Sequence, residues 1–272
     1  MEYQKYAVID IGSNSLRLMT GWQEVPGTWT FSPKELATTQ LGKGIDETRH
    51  LSADGMEASF AAMEGWKKKL SGVPVCAVAT SAVREAVDGQ AFLAEVRARF
   101  GWHCRAISGL EEASLCFTGA TKFIDPEKTA AILDIGGGST ELIVGDSQSY
   151  VNLDSLKLGC VRLTNLFFED NKGPVSAYTY AALQRYVRNE ALHSFQRIAG
   201  FEIPEAVASS GTAQNLAEIA AALEQQDAAR TGKPSTASKH VLSYDGLRRA
   251  VKELCSRTLE ERKSVPGINP NR

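Results

Sequence analysis

The sequence contains few cysteines and places them in no pattern that a metal site or a disulfide framework would need. The five cysteines are isolated and odd in number, and no CxxC pair or Cys/His cluster has metal-ligand spacing. The four histidines also lie in no motif. Zinc centres and disulfide scaffolds are therefore not indicated, and isolated thiols favour a reducing compartment.

Long apolar runs and a strong net charge are also lacking. No segment approaches the roughly 18 consecutive apolar residues of a membrane span, and residues 1–5 carry no apolar signal-peptide core. The formal net charge of −2 gives no general attraction to nucleic acid or an acidic membrane. We therefore expect a cytoplasmic protein with no nucleic-acid and no membrane partner. An anionic ligand would need local cations or backbone amides.

The most informative feature that is present is a nine-residue motif that occurs twice. Residues 10–18 (DIGSNSLRL) return as residues 134–142 (DIGGGSTEL), with identical residues at five of the nine positions. Each copy lies between two apolar runs, which predicts strand, Gly/Ser turn, strand. Glycine tolerates positive φ and lets backbone N–H groups approach an anion, and the Asp before each turn can hold a cation. Two such turns predict a two-sided phosphate clamp.

A single Gly/Ser hairpin turn is weak evidence, since most such turns only reverse the chain. Three consecutive glycines are costly in backbone entropy, however, and are a poor choice for a plain turn. The run Gly136-Gly137-Gly138 and the repeated Asp therefore favour phosphate binding at both turns.

Three further segments carry candidate side chains, each with a simpler alternative. Arg84 follows the apolar run 75–79, at the strand end where open α/β sheets bind ligands; alternatively it pairs with Glu85 or Glu112. Glu111 and Glu112 start a predicted helix, where the helix dipole alone favours acidic residues; alternatively one accepts a proton from attacking water. The small residues 209–212 open another helix, either as an anion site or as an ordinary cap.

Alternating strands and helices predict an α/β architecture. We expect helices at about 52–70, 90–100, 176–199 and 244–256, and strands at 75–79, near 105–107 and at 206–208. Another helix follows residue 212, and the polar segment 224–240 is expected to be a loop. The polar segment 125–128 precedes the second repeat and separates two predicted lobes, 1–124 and 125–272.

Together these motifs resemble the exopolyphosphatase / guanosine pentaphosphate phosphatase family of the sugar kinase–Hsp70–actin superfamily. The matching stretches are 7–15, 79–86, 107–113 and 133–142, with weaker matches at 159–163, 209–212 and 261–267. They occur in family order and cover nearly the whole chain. The resemblance implies an α/β fold of two actin-like (ribonuclease H-like) lobes, each a mixed five-stranded sheet flanked by helices, with the active site in the cleft between them.

The resemblance also implies residue roles. Glu112 is similar to the family's water-activating base, and Arg84 to its phosphate-contacting arginine. Asp134 and Glu141 are similar to the acidic residues that hold a divalent cation, and Asp10, at the equivalent place in the first turn, is a further candidate ligand. The expected phosphate-binding residues are Ser13, Asn14, Ser15 and Arg17 in the first copy, Gly136, Gly137, Gly138 and Ser139 in the second, and Ser210, Gly211 and Thr212. We expect the first loop to grip phosphate, and the second also to hold the cation and face Glu112.

The implied activity is release of terminal phosphate from inorganic polyphosphate or guanosine pentaphosphate, with Mg²⁺ or another divalent cation as cofactor. A polyphosphate or alarmone binding protein with little turnover and a kinase of the same superfamily are the alternatives. The choice of substrate, and whether the chain forms a homodimer, stay open. Larger members add a C-terminal helical region, and members usually continue beyond residue 272 through a strand and a helix. We therefore expect an exposed apolar edge on the second lobe, which an extended chain with a higher melting temperature would reveal.

Overall fold

The computed structural model describes residues 3–168, 172–232, 235 and 237–269. Its contacts divide the chain into two compact units whose segments alternate along the sequence. Unit 1 comprises Met1–Leu115, Gly136–Ser139 and Gly159–Asn165, and unit 2 comprises Cys116–Ile135, Thr140–Leu158 and Leu166–Arg272. The lobes expected at 1–124 and 125–272 stay a prediction.

The helices begin where the sequence supplies capping residues. Serine side chains accept N–H bonds at the starts of three helices, from Gly55 to Ser52, from Thr179 to Ser176 and from Gly246 to Ser243. The helices are α1 (Ile45–Thr48), α2 (Ala53–Lys69), α3 (Ser81–Glu85), α4 (Gly89–Phe100), α5 (Gly109–Ala120), α6 (Cys160–Phe168), α7 (Ala177–Ile198), α8 (Ser210–Thr231), α9 (Tyr244–Cys255) and α10 (Leu259–Arg262).

Unit 1 contains a six-stranded mixed sheet. Its strands are β1 (Lys5–Ile11), β2 (Ser15–Val25), β3 (Thr28–Phe31), β4 (Glu35–Thr38), β5 (Val75–Ala79) and β6 (His103–Ala106). The strand order is β3-β2-β1-β5-β6, and β4 also pairs with β2. Strand β1 is antiparallel to β2 and parallel to β5. The Gly/Ser turn between β1 and β2 therefore lies at the same sheet edge as the carboxyl end of β5.

One face of this sheet forms the core of unit 1. Along β1, Ala7, Ile9 and Ile11 are buried while Tyr6 and Val8 are exposed, as the two-residue period of a strand requires. The buried side chains join residues of α2 and α4 in one hydrophobic cluster. This cluster fixes β1 and β5, and with them the loops that follow both strands.

Unit 2 contains a four-stranded mixed sheet. Its strands are β7 (Ala130–Ile135), β8 (Thr140–Gly145), β9 (Tyr150–Leu156) and β10 (Glu205–Ser209). The order is β10-β7-β8-β9, with β7 antiparallel to β8 and parallel to β10. Every residue of β8 is buried. Leu142 and Val144 of β8 pack with Ile198 of α7 in one cluster, and α8 and α9 share another.

Most expected elements are confirmed, including α2, α4, α7, α9 and β5. The predicted loop at 224–240 is wrong for its first part, because α8 continues to Thr231. Alanine is the only apolar residue type in that stretch, but its Glu, Gln, Ala and Arg residues are strong helix formers. The described residues form sheets of six and four strands instead of five each. Within the described ranges, the structure has no helix that is both long and apolar enough to span a bilayer.

Candidate active site

The two copies of the repeat form hairpin turns with the same closing bond. In the β1–β2 turn the Gly12 N–H donates to the Ser15 carbonyl at 3.2 Å, and in the β7–β8 turn the Gly136 N–H donates to the Ser139 carbonyl at 3.0 Å. The predicted strand, turn, strand is therefore confirmed for both copies. The two turns differ in the side chains that flank them.

In the first copy the flanking charges neutralise each other. Asp10 lies opposite Arg17 in the β1–β2 register, and Arg17 Nη1 donates to Asp10 Oδ2 at 2.8 Å. Asp10 and Arg17 are thus bound to each other in this structure. Cation binding by Asp10 and phosphate binding by Arg17 stay predictions.

The serines of the first loop are buried. Ser13 and Ser15 are each 4% exposed. Ser13 Oγ accepts the Ala82 N–H at 3.2 Å, and Ser15 Oγ accepts the Asn14 side-chain amide at 3.2 Å. The two hydroxyl oxygens therefore help to hold the first loop in place, and phosphate binding by Ser13, Asn14 and Ser15 stays a prediction.

In the second copy the flanking residues are both acidic. Asp134 lies opposite Glu141 in the β7–β8 register, and such cross-strand neighbours have Cβ atoms about 4.5–5.5 Å apart. Ser209 Oγ donates to Asp134 Oδ2 at 2.7 Å, and Ser155 Oγ donates to Glu141 Oε1 at 2.8 Å. Glu141 is 1% exposed. Two carboxylates are thus held side by side by hydroxyl donors.

This carboxylate pair fits a magnesium ion shared with a substrate. Mg²⁺ in proteins is commonly bound by one or two carboxylates together with substrate phosphates and water. Among the residues that the structure describes, no three His, Cys, Asp or Glu side chains converge on one metal position. Asp134 and Glu141 are suitable in type and number for such a shared ion, and magnesium binding by this pair stays a prediction.

The residues at 209–212 support the same hairpin. Ser210 starts α8 with φ of 79°, a left-handed conformation that is strained for a residue with a side chain. Its Oγ donates to the Ile135 carbonyl at 2.7 Å, next to the Asp134 that Ser209 contacts. In this segment, Ser209 and Ser210 hold the carboxyl end of β7. Phosphate binding by Ser210, Gly211 and Thr212 stays a prediction.

The second glycine loop turns its carbonyl groups toward the start of α6. The Gly136 carbonyl accepts the Cys160 N–H at 2.9 Å, and the Gly137 carbonyl accepts the Val161 N–H at 2.9 Å. The Gly138 carbonyl accepts Arg162 Nε at 3.0 Å. Three consecutive carbonyls of the loop are therefore fixed from one side.

The amides of this loop consequently point the other way. In a trans peptide the N–H lies opposite the preceding carbonyl, and none of the described peptide bonds is cis. The N–H groups of Gly137, Gly138 and Ser139, here called the amide row, therefore point away from α6. Within the described ranges they donate to no protein acceptor. Consecutive N–H groups of this kind form an anion-binding concavity.

The two loops touch each other within unit 1, and glycine is needed for this approach. A Cβ atom at Gly138 would lie 2.4 Å from Ser81 Oγ and 2.8 Å from Ser13 Oγ. A Cβ atom at Gly137 would lie 3.0 Å from Ser13 Cβ. The second loop thus packs against the first loop and the start of α3, and the two-sided phosphate clamp stays a prediction.

Arg84 and Glu112 form an ion pair in unit 1. Arg84 Nη1 donates to Glu112 Oε2 at 3.1 Å and to the Ile107 carbonyl at 2.8 Å. Both side chains are largely buried, with 24% and 17% exposed. The pairing that the sequence left open is therefore confirmed. Glu111 differs, because its side chain is more exposed than that of Glu112 and pairs with Arg105, which holds the pKa of the Glu111 carboxyl below its usual value.

Two charged residues of the site, Arg162 and Asp46, were missed by sequence reasoning. Arg162 lies beside a small pocket and contacts Asp46 and Glu85. The signal for Arg162 was its place in the weakly matching stretch 159–163, whereas Asp46 had none. The pocket is lined by Ser13, Asp46, Ser81, Gly137, Gly138 and Arg162, among others.

Comparison with known proteins gives a consistent result. Residues 22–272 match the model of the Ppx/GppA phosphatase family. An exopolyphosphatase from Cytophaga hutchinsonii superposes with a TM-score of 0.82 at 23% identity, covering 98% of this chain and 85% of that one. The Ppx/GppA family member of Aquifex aeolicus gives 0.72 at 25%, covering 100% and 85%. Another structure of the A. aeolicus PPX-GPPA enzyme gives 0.74 at 27%, covering 100% and 87%. The predicted fold class, α/β with actin-like mixed sheets flanked by helices, is confirmed.

Proposed function

Because this chain belongs to the Ppx/GppA phosphatase family, we propose that it is a metal-dependent phosphoanhydride hydrolase. It releases the terminal phosphate of inorganic polyphosphate, of guanosine pentaphosphate or of both. The amide row beside the first loop is the observation that carries this proposal. Backbone N–H groups bind phosphate oxygens without a side-chain charge, which suits a protein whose net charge is −2.

Asp134 and Glu141 are the residues proposed to hold Mg²⁺. Their hydroxyl partners, Ser209 and Ser155, keep the two carboxylates in place on adjacent strands. The ion, when bound there with phosphate oxygens, would offset the charge that develops as the anhydride bond breaks.

Glu112 is proposed to accept the proton of the attacking water. The water oxygen forms a bond to the terminal phosphorus, and the bond from that phosphorus to the bridging oxygen breaks. The proton passes to Glu112, and the shortened chain leaves with the bonding electron pair on its oxygen. Arg84, itself anchored on the Ile107 carbonyl, positions the Glu112 carboxylate for this transfer.

The test is phosphate release from polyphosphate in the presence of Mg²⁺, measured for wild type and Glu112→Gln. The substitution keeps the size of the side chain but removes its ability to act as a base, so we expect a loss on the order of 100-fold or more in kcat. Glu111→Gln is the matched control, because Glu111 is the adjacent acidic residue on the same helix turn and pairs with Arg105 instead of Arg84. Equal rates for wild type and Glu112→Gln would remove Glu112 from the mechanism.

A substrate panel separates the remaining possibilities. Tripolyphosphate, long-chain polyphosphate and guanosine pentaphosphate are compared by released phosphate at equal phosphate concentration. Tight binding of one of them without release would instead support a binding protein with little turnover. Phosphate that appears on an added acceptor, with none released to water, would support a kinase.

A further inference from the structure

Arg162 connects four separate segments of unit 1. Its side chain is nine-tenths buried, and every nitrogen of its guanidinium group has a partner. Nε donates to the Gly138 carbonyl at 3.0 Å, and Nη2 donates to both oxygens of Glu85 at 3.0 Å. Nη1 contacts Asp46 Oδ1. One side chain on α6 therefore holds α1, α3 and the second glycine loop.

The charges around Arg162 argue against a direct contact with phosphate. One guanidinium faces two carboxylates, those of Asp46 and Glu85, so these three side chains carry a net negative charge. A phosphate would be repelled there, and Arg162 would have to abandon two partly buried partners to reach it. Arg162 therefore contributes through the groups that it holds in place.

Arg162 holds the peptide group between Gly138 and Ser139. Its Nε and the Gly159 N–H, at 3.3 Å, both donate to the Gly138 carbonyl. Because the peptide is planar and trans, fixing this carbonyl also fixes the direction of the Ser139 N–H in the amide row. Glycine has the widest choice of backbone conformations. Without these two donors, the peptide after Gly138 has no bond that prevents rotation.

A second connection makes this arrangement a closed ring. Glu85 Oε1 also accepts Ser81 Oγ at 2.9 Å, and Ser81 Oγ lies so near Gly138 that a Cβ there would be 2.4 Å away. The ring runs from Gly138 through Arg162, Glu85 and Ser81 back to Gly138. The loop is thus held by its carbonyl on one side and by packing against Ser81 on the other.

We propose that Arg162 is a positioning residue for phosphate binding, which fixes the orientation of the amide row through the Gly138 carbonyl and is itself aligned by Glu85 and Asp46. This proposal rests on the proposed function, because it assigns the amide row to phosphate. A displacement of about 1 Å in a binding group can cost about 100-fold in rate. Loss of Arg162 is therefore expected to lower kcat/KM by about that factor.

The experiment compares wild type, Arg162→Met, Arg162→Lys and the control Arg197→Met. Arg197 also joins a helix to strand residues, through Asn152 and Asp154, but belongs to unit 2. Phosphate release from tripolyphosphate with Mg²⁺ gives kcat/KM. The rise in melting temperature caused by tripolyphosphate with EDTA present gives binding without turnover. Arg162→Lys is expected to be intermediate, since one ammonium cannot bind Gly138, Glu85 and Asp46 at the same time as the three guanidinium nitrogens do.

The proposal predicts that Arg162→Met melts cooperatively but loses both the rate and the tripolyphosphate-induced rise, whereas Arg197→Met keeps both. It is overturned if wild type is active and Arg162→Met has kcat/KM within about threefold of it. Should Arg162→Met not fold, Glu85→Gln tests the same ring with Arg162 present, and an unchanged kcat/KM in that variant also overturns the proposal. Wild type that releases no phosphate contradicts the proposed function, whereas activity without an Arg162 effect contradicts only this inference.

Discussion

Glu141 lies directly opposite Asp134 on the neighbouring antiparallel strand, although two carboxylates in that relationship repel each other. The equivalent position in the first copy of the repeat is Arg17, which neutralises Asp10. The two hairpins have the same turn and opposite electrostatics at this one position. A cation shared with substrate phosphates would remove the repulsion in the second copy.

Glu141→Gln is therefore expected to weaken metal binding while leaving the hairpin folded. We expect the Mg²⁺ concentration for half-maximal phosphate release to rise roughly tenfold or more, because one of two proposed carboxylate ligands is lost. Glu205→Gln is the control, since Glu205 lies on β10 and is paired with Lys128 at 2.9 Å. An unchanged Mg²⁺ requirement in Glu141→Gln would exclude this carboxylate from the site.

Gly138→Ala is expected to be destabilising because the added Cβ would meet Ser81 Oγ at 2.4 Å. Overpacking of this kind costs about 1–3 kcal/mol in the free energy of unfolding, and activity should fall as the loop shifts. Gly65→Ala is a matched control on the exposed side of α2, where a Cβ would meet nothing within 4 Å. That control should gain about 0.5–1 kcal/mol. Urea unfolding of both variants checks the sign and the difference.

Arg84 and Glu112 are expected to act as one unit. Arg84→Met should lower kcat in the wild-type background, because the Glu112 carboxylate loses the partner that orients it. In the Glu112→Gln background the same substitution should have a much smaller effect, since there is no base left to position. Rates of phosphate release are measured for wild type, the two single variants and the double variant, which together form a double-mutant cycle. If the two substitutions lowered kcat by independent factors, Arg84 would contribute to the rate without Glu112.

Cys104 gives a prediction for alkaline pH. Burial raises the pKa of its thiol to about 11, from about 9 in an exposed cysteine. The folded protein therefore retains this proton between pH 9 and pH 11 while the unfolded chain loses it, so the contribution of Cys104 to stability is present below pH 9 and declines across that interval. The free energy of unfolding of wild type relative to Cys104→Ala should decrease from pH 9 to pH 11. A constant difference would contradict the raised pKa.

The parts of the fold that sequence predicts well depend on local residues. The serine caps at Ser52, Ser176 and Ser243 act within one helical turn, and the strand-turn-strand of the repeat depends on nine neighbouring residues. Such features are visible in sequence because propensity and capping decide them locally.

The rest of the site depends on contacts between distant residues. Arg162 meets Glu85 across 77 positions and Asp46 across 116, and no local pattern specifies either contact. Glu111 and Glu112 are neighbours in sequence, but a rotation of about 100° per residue sends them to different partners. Their separation follows from the rotational setting of α5 on the sheet, which tertiary packing decides.

Helix α6, whose first amides bind the loop carbonyls, can act on the proposed phosphate site only through the loop. The first amides of α6 are used by Gly136 and Gly137, so the helix cannot present them to an anion directly. The peptides after Gly136 and Gly137 instead lie in series between a helix amide and the open side of the loop, and peptide groups linked in this way polarise one another. The positive end of the helix is in this way extended by one layer of peptide groups. A phosphate in the proposed site would therefore be stabilised by the α6 dipole through these peptide groups. Because the residues are glycines, no side chain lies between the loop backbone and the phosphate.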